Sequence, residues 1–344
     1  MPYFWNDDGV YTSNKAKQYL DTFHPNEVKN ITVIRQAALG DMIVTRPFIV
    51  EVRKFFPNAH ITLSTTSDSL LGAPVDLVDS VHIVPGKDKR KESLIKRIKI
   101  MKSLPPQDII FDLVCTNRSS YVTFLTEAKL KVSYPHRDHQ ARLLYDVCLK
   151  RSSFSCEAEI MLQMLMVFGH RPSLPLEFAL PDNRAVRDSQ KPYVVFFTGS
   201  AAPSKCYPMD RYQEVIKRLA ICYPNLDFVL LEGVKPEETH AGWEAVLDEH
   251  SNVIFQEKMD MDDVVTYLAK STFVISNDTG IRNAAIATHT PTLGIFIGTV
   301  PFRYLPTYER HYIVYNPDKS IVSVEQVADE AIIALDETLK SFEV

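Results

Sequence analysis

Glycine is scarce in this sequence: there are 11 in 344 residues, and no two of them stand a single residue apart. The dinucleotide fingerprint G-x-G-x-x-G is therefore absent, and no glycine precedes Lys-Ser or Lys-Thr as a P-loop requires. Any phosphate this chain holds must be held by isolated glycines. The five cysteines (115, 148, 156, 206 and 222) are odd in number and contain no C-x-x-C pair. That argues against a disulfide framework and a structural zinc site, and fits reduced thiols in the cytoplasm. An uninterrupted apolar run long enough to span a bilayer is missing. Met1 to Asp8 carries acids and aromatics where a signal peptide needs a basic start. The formal net charge of −5 speaks against a nucleic-acid binder.

What is present is the composition of a globular protein, with 45% hydrophobic and 24% charged residues and length for about two domains. Ile31 to Arg35 is a β-branched run, Gln36 to Asp41 a turn, Ile43 to Phe56 an apolar-periodic helix and His60 to Ser64 a second strand. This βαβ unit implies a parallel sheet. The alternation continues through 81–84, 108–114 and 131–134 to an apolar helix over 157–168. It restarts at Tyr193–Thr198 and runs through strands at 227–231, 252–255, 273–276, 292–297 and 311–315 to a terminal helix over 322–341. The expected fold is α/β, with two tandem Rossmann-like doubly wound domains facing a cleft and a C-terminal helix. Residues 1–175 form the first domain, 176–192 a linker and 193–344 the second. Ligands of such sheets bind outside the carboxyl ends of the strands.

Four strand mouths carry candidate chemistry. At Gly40-Asp41 the aspartate reads either as a helix N-cap, which the spacing alone favours, or as a base for an incoming hydroxyl. In Thr198-Gly-Ser-Ala-Ala-Pro-Ser-Lys-Cys-Tyr-Pro208 small residues allow close approach. Lys205 stands before a helix start, where a cation is disfavoured; it reads either as a partner for an anion such as a diphosphate or as a chance surface lysine. Ser276-Asn-Asp-Thr-Gly280 opens a helix whose first N–H groups can hold an anion or simply form a capped turn. Glu232-Gly233, followed by Glu237 and Glu238, offers carboxylates for ribose hydroxyls or merely begins a helix. Separately, residues 87–102 hold eight Lys or Arg against two acids, a local balance of +6, with Leu94, Ile95, Ile98 and Met101 on one helical face. That segment reads as a solvated basic face or as a dock for an anionic membrane or acceptor.

Together these residues resemble the ADP-heptose:lipopolysaccharide heptosyltransferases, glycosyltransferase family 9, of GT-B fold. The resemblance is carried by Leu39-Gly-Asp41 with Arg46-Pro47, Lys205-x-Tyr-Pro208 and Gly233-x-x-x-Glu237, and by Met259, Asp278-Thr-Gly280 and Thr290-Pro-Thr-Leu-Gly-Ile-Phe-Ile-Gly298. It implies an inverting sugar transfer that uses no metal and no cofactor, from an ADP-linked donor to a glycan or glycolipid hydroxyl. The first domain would take the acceptor and the second the donor, in the cytoplasm or at the inner face of the inner membrane. By resemblance Asp41 is the general base, Lys205 offsets diphosphate charge and Ser200 contacts phosphate. Glu237 meets the ribose, Met259 lies near the adenine, and Asp278, Thr279 and Gly280 hold phosphates and sugar. Asn283 stands where the family usually has His, and Ala201 where a second hydroxyl is common. A sugar-nucleotide epimerase of similar architecture and a non-catalytic nucleotide-sugar binder are the competing readings; the missing fingerprint counts against a nicotinamide oxidoreductase.

Overall fold

A computed structural model describes residues 11–89, 92–135, 143–188, 191–235, 238–239, 241–308 and 310–341. The chain divides into two compact units. The first takes in the residues up to Ser152 together with Glu157–Ala179; the second takes in Ser153–Cys156 together with Leu180 onward.

In the first unit the strands are β1 (Tyr11–Thr12), β2 (Asn30–Ile34), β3 (His60–Thr66), β4 (Ser80–Val84), β5 (Gln107–Asp112), β6 (Ala128–Ser133) and β7 (Val147–Cys148). They form one sheet in the order β1-β7-β6-β5-β2-β3-β4, with β1 antiparallel to β7 and the other pairs parallel. Ile31, Val33, Ile34, Ile109, Ile110 and Phe111 are fully buried, as central strands covered on both faces should be. The helices are α1 (Asn14–Asp21), α2 (Leu39–Ile43), α3 (Arg46–Phe55), α4 (Leu94–Met101), α5 (Asn117–Leu125) and α6 (Glu157–Met166). Phe23, Phe55, Phe56, Phe111 and Phe168 interlock edge-to-face and tilted, with ring centroids 4.8–6.3 Å apart.

The helix expected over 43–56 starts at Arg46 as α3, and the turn expected over 36–41 runs into the short helix α2. α2 ends at Ile43, and α3 begins afresh at Arg46 with Pro47 in its first turn, where the missing N–H costs nothing. Arg46 is buried and makes a bidentate bond to Asp76 (2.8 and 2.6 Å). It also donates to the carbonyls of Phe178 and Ala179. The Arg-Pro pair of the motif thus fastens the end of this unit's chain to α3.

In the second unit the strands are β8 (Tyr193–Phe197), β9 (Asp227–Leu231), β10 (Val253–Gln256), β11 (Phe273–Asn277), β12 (Thr292–Phe296) and β13 (His311–Tyr315). The sheet order is β10-β9-β8-β11-β12-β13, all parallel. Numbered within the unit this is 3-2-1-4-5-6, the doubly wound order whose direction reverses between β8 and β11. The helices are α7 (Asn183–Val186), α8 (Met209–Cys222), α9 (Glu244–Glu249), α10 (Met261–Lys270), α11 (Gly280–Ala287) and α12 (Val324–Lys340). α9 begins at Glu244, shortly after Gly242 in the left-handed region (φ +88°). Ser323 and Gln326 close a capping box at the start of α12. The buried residues of α12, Val327, Ala331, Ala334 and Leu335, share a core with Val215, Ile216 and Leu219 of α8.

Candidate functional site

The reversal between β8 and β11 opens a crevice at their carboxyl ends, and two loops meet there. Asn277, the last residue of β11, joins them. Its Nδ2 donates to the Thr198 carbonyl (2.6 Å) and to that of Gly199 (3.3 Å), while its Oδ1 accepts from the Tyr207 amide (3.0 Å). Ser200, buried, donates from Oγ to the Asp278 carbonyl (3.1 Å). Lys205 Nζ lies 2.8 Å from Asp278 Oδ2, with about a third of its side chain exposed. Asp278 is therefore the anion beside the lysine. Thr279 occupies the N-cap position of α11 with extended backbone, but its hydroxyl makes no cap bond. The first N–H groups of a helix have no partner within the helix and suit an anion at the turn.

Arg282 and Asn283 follow in the same helix, 1% and 5% exposed. Arg282 donates from Nη1 to the Tyr304 carbonyl (2.7 Å) and lies over the Phe296 ring, 5.2 Å from its centroid. Its Nε and Nη2 have no hydrogen-bond partner among the described residues. Burial pulls its pKa down to about 10, with Asp278 pulling the other way, so the guanidinium stays charged at neutral pH. A Cβ at Gly294 would overlap Arg282, so this glycine of β12 makes room for the buried side chain.

At the neighbouring mouth the backbone carries a surprise for the sequence reading. Glu237 lies outside the described residues. Glu238, 7% exposed, places its carboxylate where a Cβ on either Gly199 or Gly233 would stand, so both glycines are needed to admit it. It accepts from the amides of Val234 (3.1 Å) and Lys235 (3.3 Å) and pairs with Lys235 Nζ (3.6 Å). Lys235 also donates to the Ser200 carbonyl. Met259 is half-buried in the β10–α10 loop, which the Lys258 amide ties to Glu232 Oε2 (2.9 Å) at the end of β9. The structure thus brings Ser200, Lys205, Asp278, Thr279 and Gly280 together, with Met259 on the loop beyond β10. Glu238 is one of the carboxylates that the sequence offers at this mouth, whereas Asn277 and Arg282 have no role in that reading. Asn277 is marked in the sequence only as a polar residue at a strand end, and Arg282, inside α11, carries no signal of its own.

In the first unit the reversal falls between β2 and β5. Ala38, not Asp41, is the N-cap of α2, so the capping role that spacing favours is not the one Asp41 fills. Asp41 sits in the first turn, about a third exposed, with Oδ1 3.5 Å from Arg35 Nη2. Arg35 ends the β2 run, is 2% exposed, and also reaches the Leu113 carbonyl (3.1 Å) and Glu157 Oε1 (3.5 Å). Beside it, a cavity of about 570 Å³ is lined by Gln36, Ala38, Thr66, Asp68, Lys87 and Arg118 among others. Burial opposes the charge on Asp68, but hydrogen bonds from Thr66 and the Lys87 amide, with the nearby Arg118 charge, hold its pKa below the usual carboxylate value. Under the crevice Asp112 is wholly buried. Burial pushes its pKa up, against hydrogen bonds from Tyr145 (2.6 Å) and the amides of Cys115 and Val114. Among the described residues no three His, Cys, Asp or Glu side chains gather as a metal site requires.

Two doubly wound units, with a hydroxyl, a lysine and an aspartate meeting at the helix start of the second, match a known pattern. The sequence profile of glycosyltransferase family 9 (heptosyltransferase) fits residues 97–330, well over half the chain. The chain belongs to this family. The matched span contains the whole Ser200–Asp278–Gly280 cluster and begins after Asp41. No curated protein matches the sequence. Among solved structures, the family 9 glycosyl transferase of Veillonella parvula superposes with a TM-score of 0.70 at 20% identity, covering 91% of this chain and 99% of that one. Heptosyltransferase WaaC of E. coli, solved with ADP-2-deoxy-2-fluoro heptose, gives 0.70 at 17% identity, covering 89% and 99%. A putative UDP-N-acetylglucosamine 2-epimerase of Listeria monocytogenes gives 0.52 at 13% identity, covering 91% and 90%. The fold is that of the GT-B glycosyltransferases, and the chain is a family 9 glycosyltransferase.

Proposed function

We propose that the protein transfers heptose from ADP-heptose, with inversion and without a metal or cofactor, to a hydroxyl of lipopolysaccharide or another surface glycan at the cytoplasmic face of the membrane. The observation that carries this reading is the meeting of Ser200, Lys205 and Asp278 at the start of α11. In the transfer the bond from the sugar's anomeric carbon to the diphosphate oxygen breaks, and a bond to the acceptor oxygen forms. The acceptor proton passes to Asp41, and the electron pair of the broken bond leaves with ADP. The diphosphate gains charge as it departs. Lys205, exchanging Asp278 for phosphate, and the N–H groups of α11 meet that charge. Asp41 is about a third exposed in the first turn of α2, with Oδ1 3.5 Å from Arg35 Nη2, so an acceptor hydroxyl can reach its carboxylate. Glu237, through its motif spacing, is assigned to the ribose and Met259 to the adenine. Asn283 in place of His alters what the sugar meets.

The test is ADP release from ADP-heptose in the presence of a heptose-deficient lipopolysaccharide acceptor. Wild type should release ADP only with acceptor present. Asp41→Asn should lower turnover by ~10² to 10⁴, the range of general-base catalysis, with ADP affinity unchanged. Near-normal turnover in that variant overturns the base assignment. An isomerised sugar nucleotide formed without acceptor would instead identify an epimerase.

A further inference from the structure

The apolar stripe of α4 faces the wrong way for a core. Leu94, Ile95, Ile98 and Met101 share a face by spacing, yet only Met101 is buried, against Ile34, Val84, Ile110 and Val122. Leu94, Ile95 and Ile98 are 68%, 82% and 44% exposed. The helix instead packs through Met101 and the half-buried Ile100, leaving three aliphatic side chains in solvent. The adjoining α5 adds two aromatics, Tyr121 at 62% and Phe124 at 70% exposure. Such a concentration of large exposed apolar side chains marks an interaction surface.

Its charge says what kind. Lys87, Lys89, Lys96, Lys99 and Lys102 are exposed around it, and among the described residues Lys96 alone of these forms an ion pair, with Glu92 (2.9 Å). Arg90 and Lys91 belong to the same basic run in sequence and lie outside the described residues. A second copy of this chain would set like charges against each other, which disfavours self-association through this face. Aliphatic side chains rimmed by lysines match the boundary between acyl chains and anionic headgroups. Among the described residues no helix is long and apolar enough to cross a membrane, so the contact would be peripheral.

We infer that α4 and α5 form a docking face for an anionic lipid bilayer. Leu94, Ile95, Ile98, Tyr121 and Phe124 enter the interface, and the lysines contact headgroup phosphates. Asn117, which lines the 570 Å³ cavity, stands on the same stripe of α5 as Tyr121 and Phe124 at i, i+4 and i+7. Docking on this face holds that cavity beside the bilayer, where a lipid-anchored glycan is presented. This last step rests on the transferase reading; the docking face does not.

Sedimentation of the full chain with vesicles tests it. The protein should bind mixed phosphatidylcholine–phosphatidylglycerol vesicles and leave pure phosphatidylcholine vesicles in solution, and added salt should weaken binding. Lys96→Glu with Lys99→Glu should reduce binding by at least about tenfold, and Ile95→Asp should do so at unchanged surface lysines. All three positions are exposed, so unfolding midpoints should stay at the wild-type value. No binding to anionic vesicles, or equal binding by Ile95→Asp, overturns the proposal. So does a wild-type dimer that Ile95→Asp converts to monomer. ADP binding measured on the same samples reports on the transferase reading separately, since failure of one leaves the other standing.

Discussion

Arg282 is a cation kept where a cation is costly. A buried guanidinium with two nitrogens, Nε and Nη2, unmatched among the described residues loses hydration that one carbonyl and one aromatic face do not restore. An apolar side chain of similar length should fit the same slot at little cost to folding, so stability does not account for the residue. Lys205 already neutralises Asp278, which leaves Arg282 as a net charge in the first turn of α11. A buried cation in the first turn of a helix that receives a diphosphate adds to the positive field at that turn, by on the order of 1 to 2 kcal/mol. Arg282→Met should therefore leave the unfolding midpoint unchanged or raise it while weakening ADP binding about tenfold, with Arg282→Lys in between. Calorimetry with ADP and with adenosine decides. An equal loss for both ligands would mean that Arg282 only steadies the Tyr304 loop. The sequence announces Lys205 and Asp278 because each stands in a motif beside a strand end. It does not announce that Glu238 fills the space left by Gly199 and Gly233, since two adjacent glutamates look alike until the backbone chooses one. Nor does it distinguish a capping Asp41 from a reactive one, because Ala38 caps α2 with no side-chain signal at all.

At the scale of elements, strands were the legible part. β2, β3, β5, β8, β9, β11 and β12 are β-branched or aromatic runs bounded by turn residues, and a central parallel strand tolerates little else. The two-residue pair β1 and β7 was not legible, because an edge pairing that short leaves no periodic pattern. For α4, periodicity locates a stripe but cannot say which side of it the protein covers, so in the sequence the solvated and docking readings both stand open. The terminal helix expected over 322–341 is α12, Val324–Lys340. Leu335 is fully buried in that helix, in one core with Val215, Ile216 and Leu219. Its truncation removes buried methyl groups and leaves a cavity. Leu335→Ala should cost about 2 to 5 kcal/mol in urea unfolding. ADP affinity of the folded variant should stay at the wild-type value, since α12 contributes no residue to the Ser200–Asp278 cluster. A cost below 1 kcal/mol would mean that α12 is a loosely held appendage.

For the whole molecule, the same strand order appears twice once the antiparallel edge strand β1 is set aside, and only its grammar was legible in the sequence. Alternating strands and helices imply right-handed crossovers and parallel sheets, but the order 3-2-1-4-5-6 depends on which strand edge each crossover chooses. That order matters because it puts the reversal, and with it the crevice, between β8 and β11 in the second unit and between β2 and β5 in the first. The residues assigned to the diphosphate, Ser200, Lys205, Asp278, Thr279 and Gly280, all belong to the second unit. A ligand that binds only the folded state stabilises what it binds, by about 2.7 kcal/mol at a hundredfold excess over Kd. For a unit of this size that corresponds to a rise of roughly 5 to 10 °C in its midpoint. Scanning calorimetry should therefore resolve two transitions, with ADP moving the one that belongs to the second unit and leaving the other in place. Lys205→Ala should remove most of that shift, because it deletes the cation that exchanges Asp278 for phosphate. Movement of both transitions alike, or of the first unit alone, would take the nucleotide out of the β8–β11 crevice.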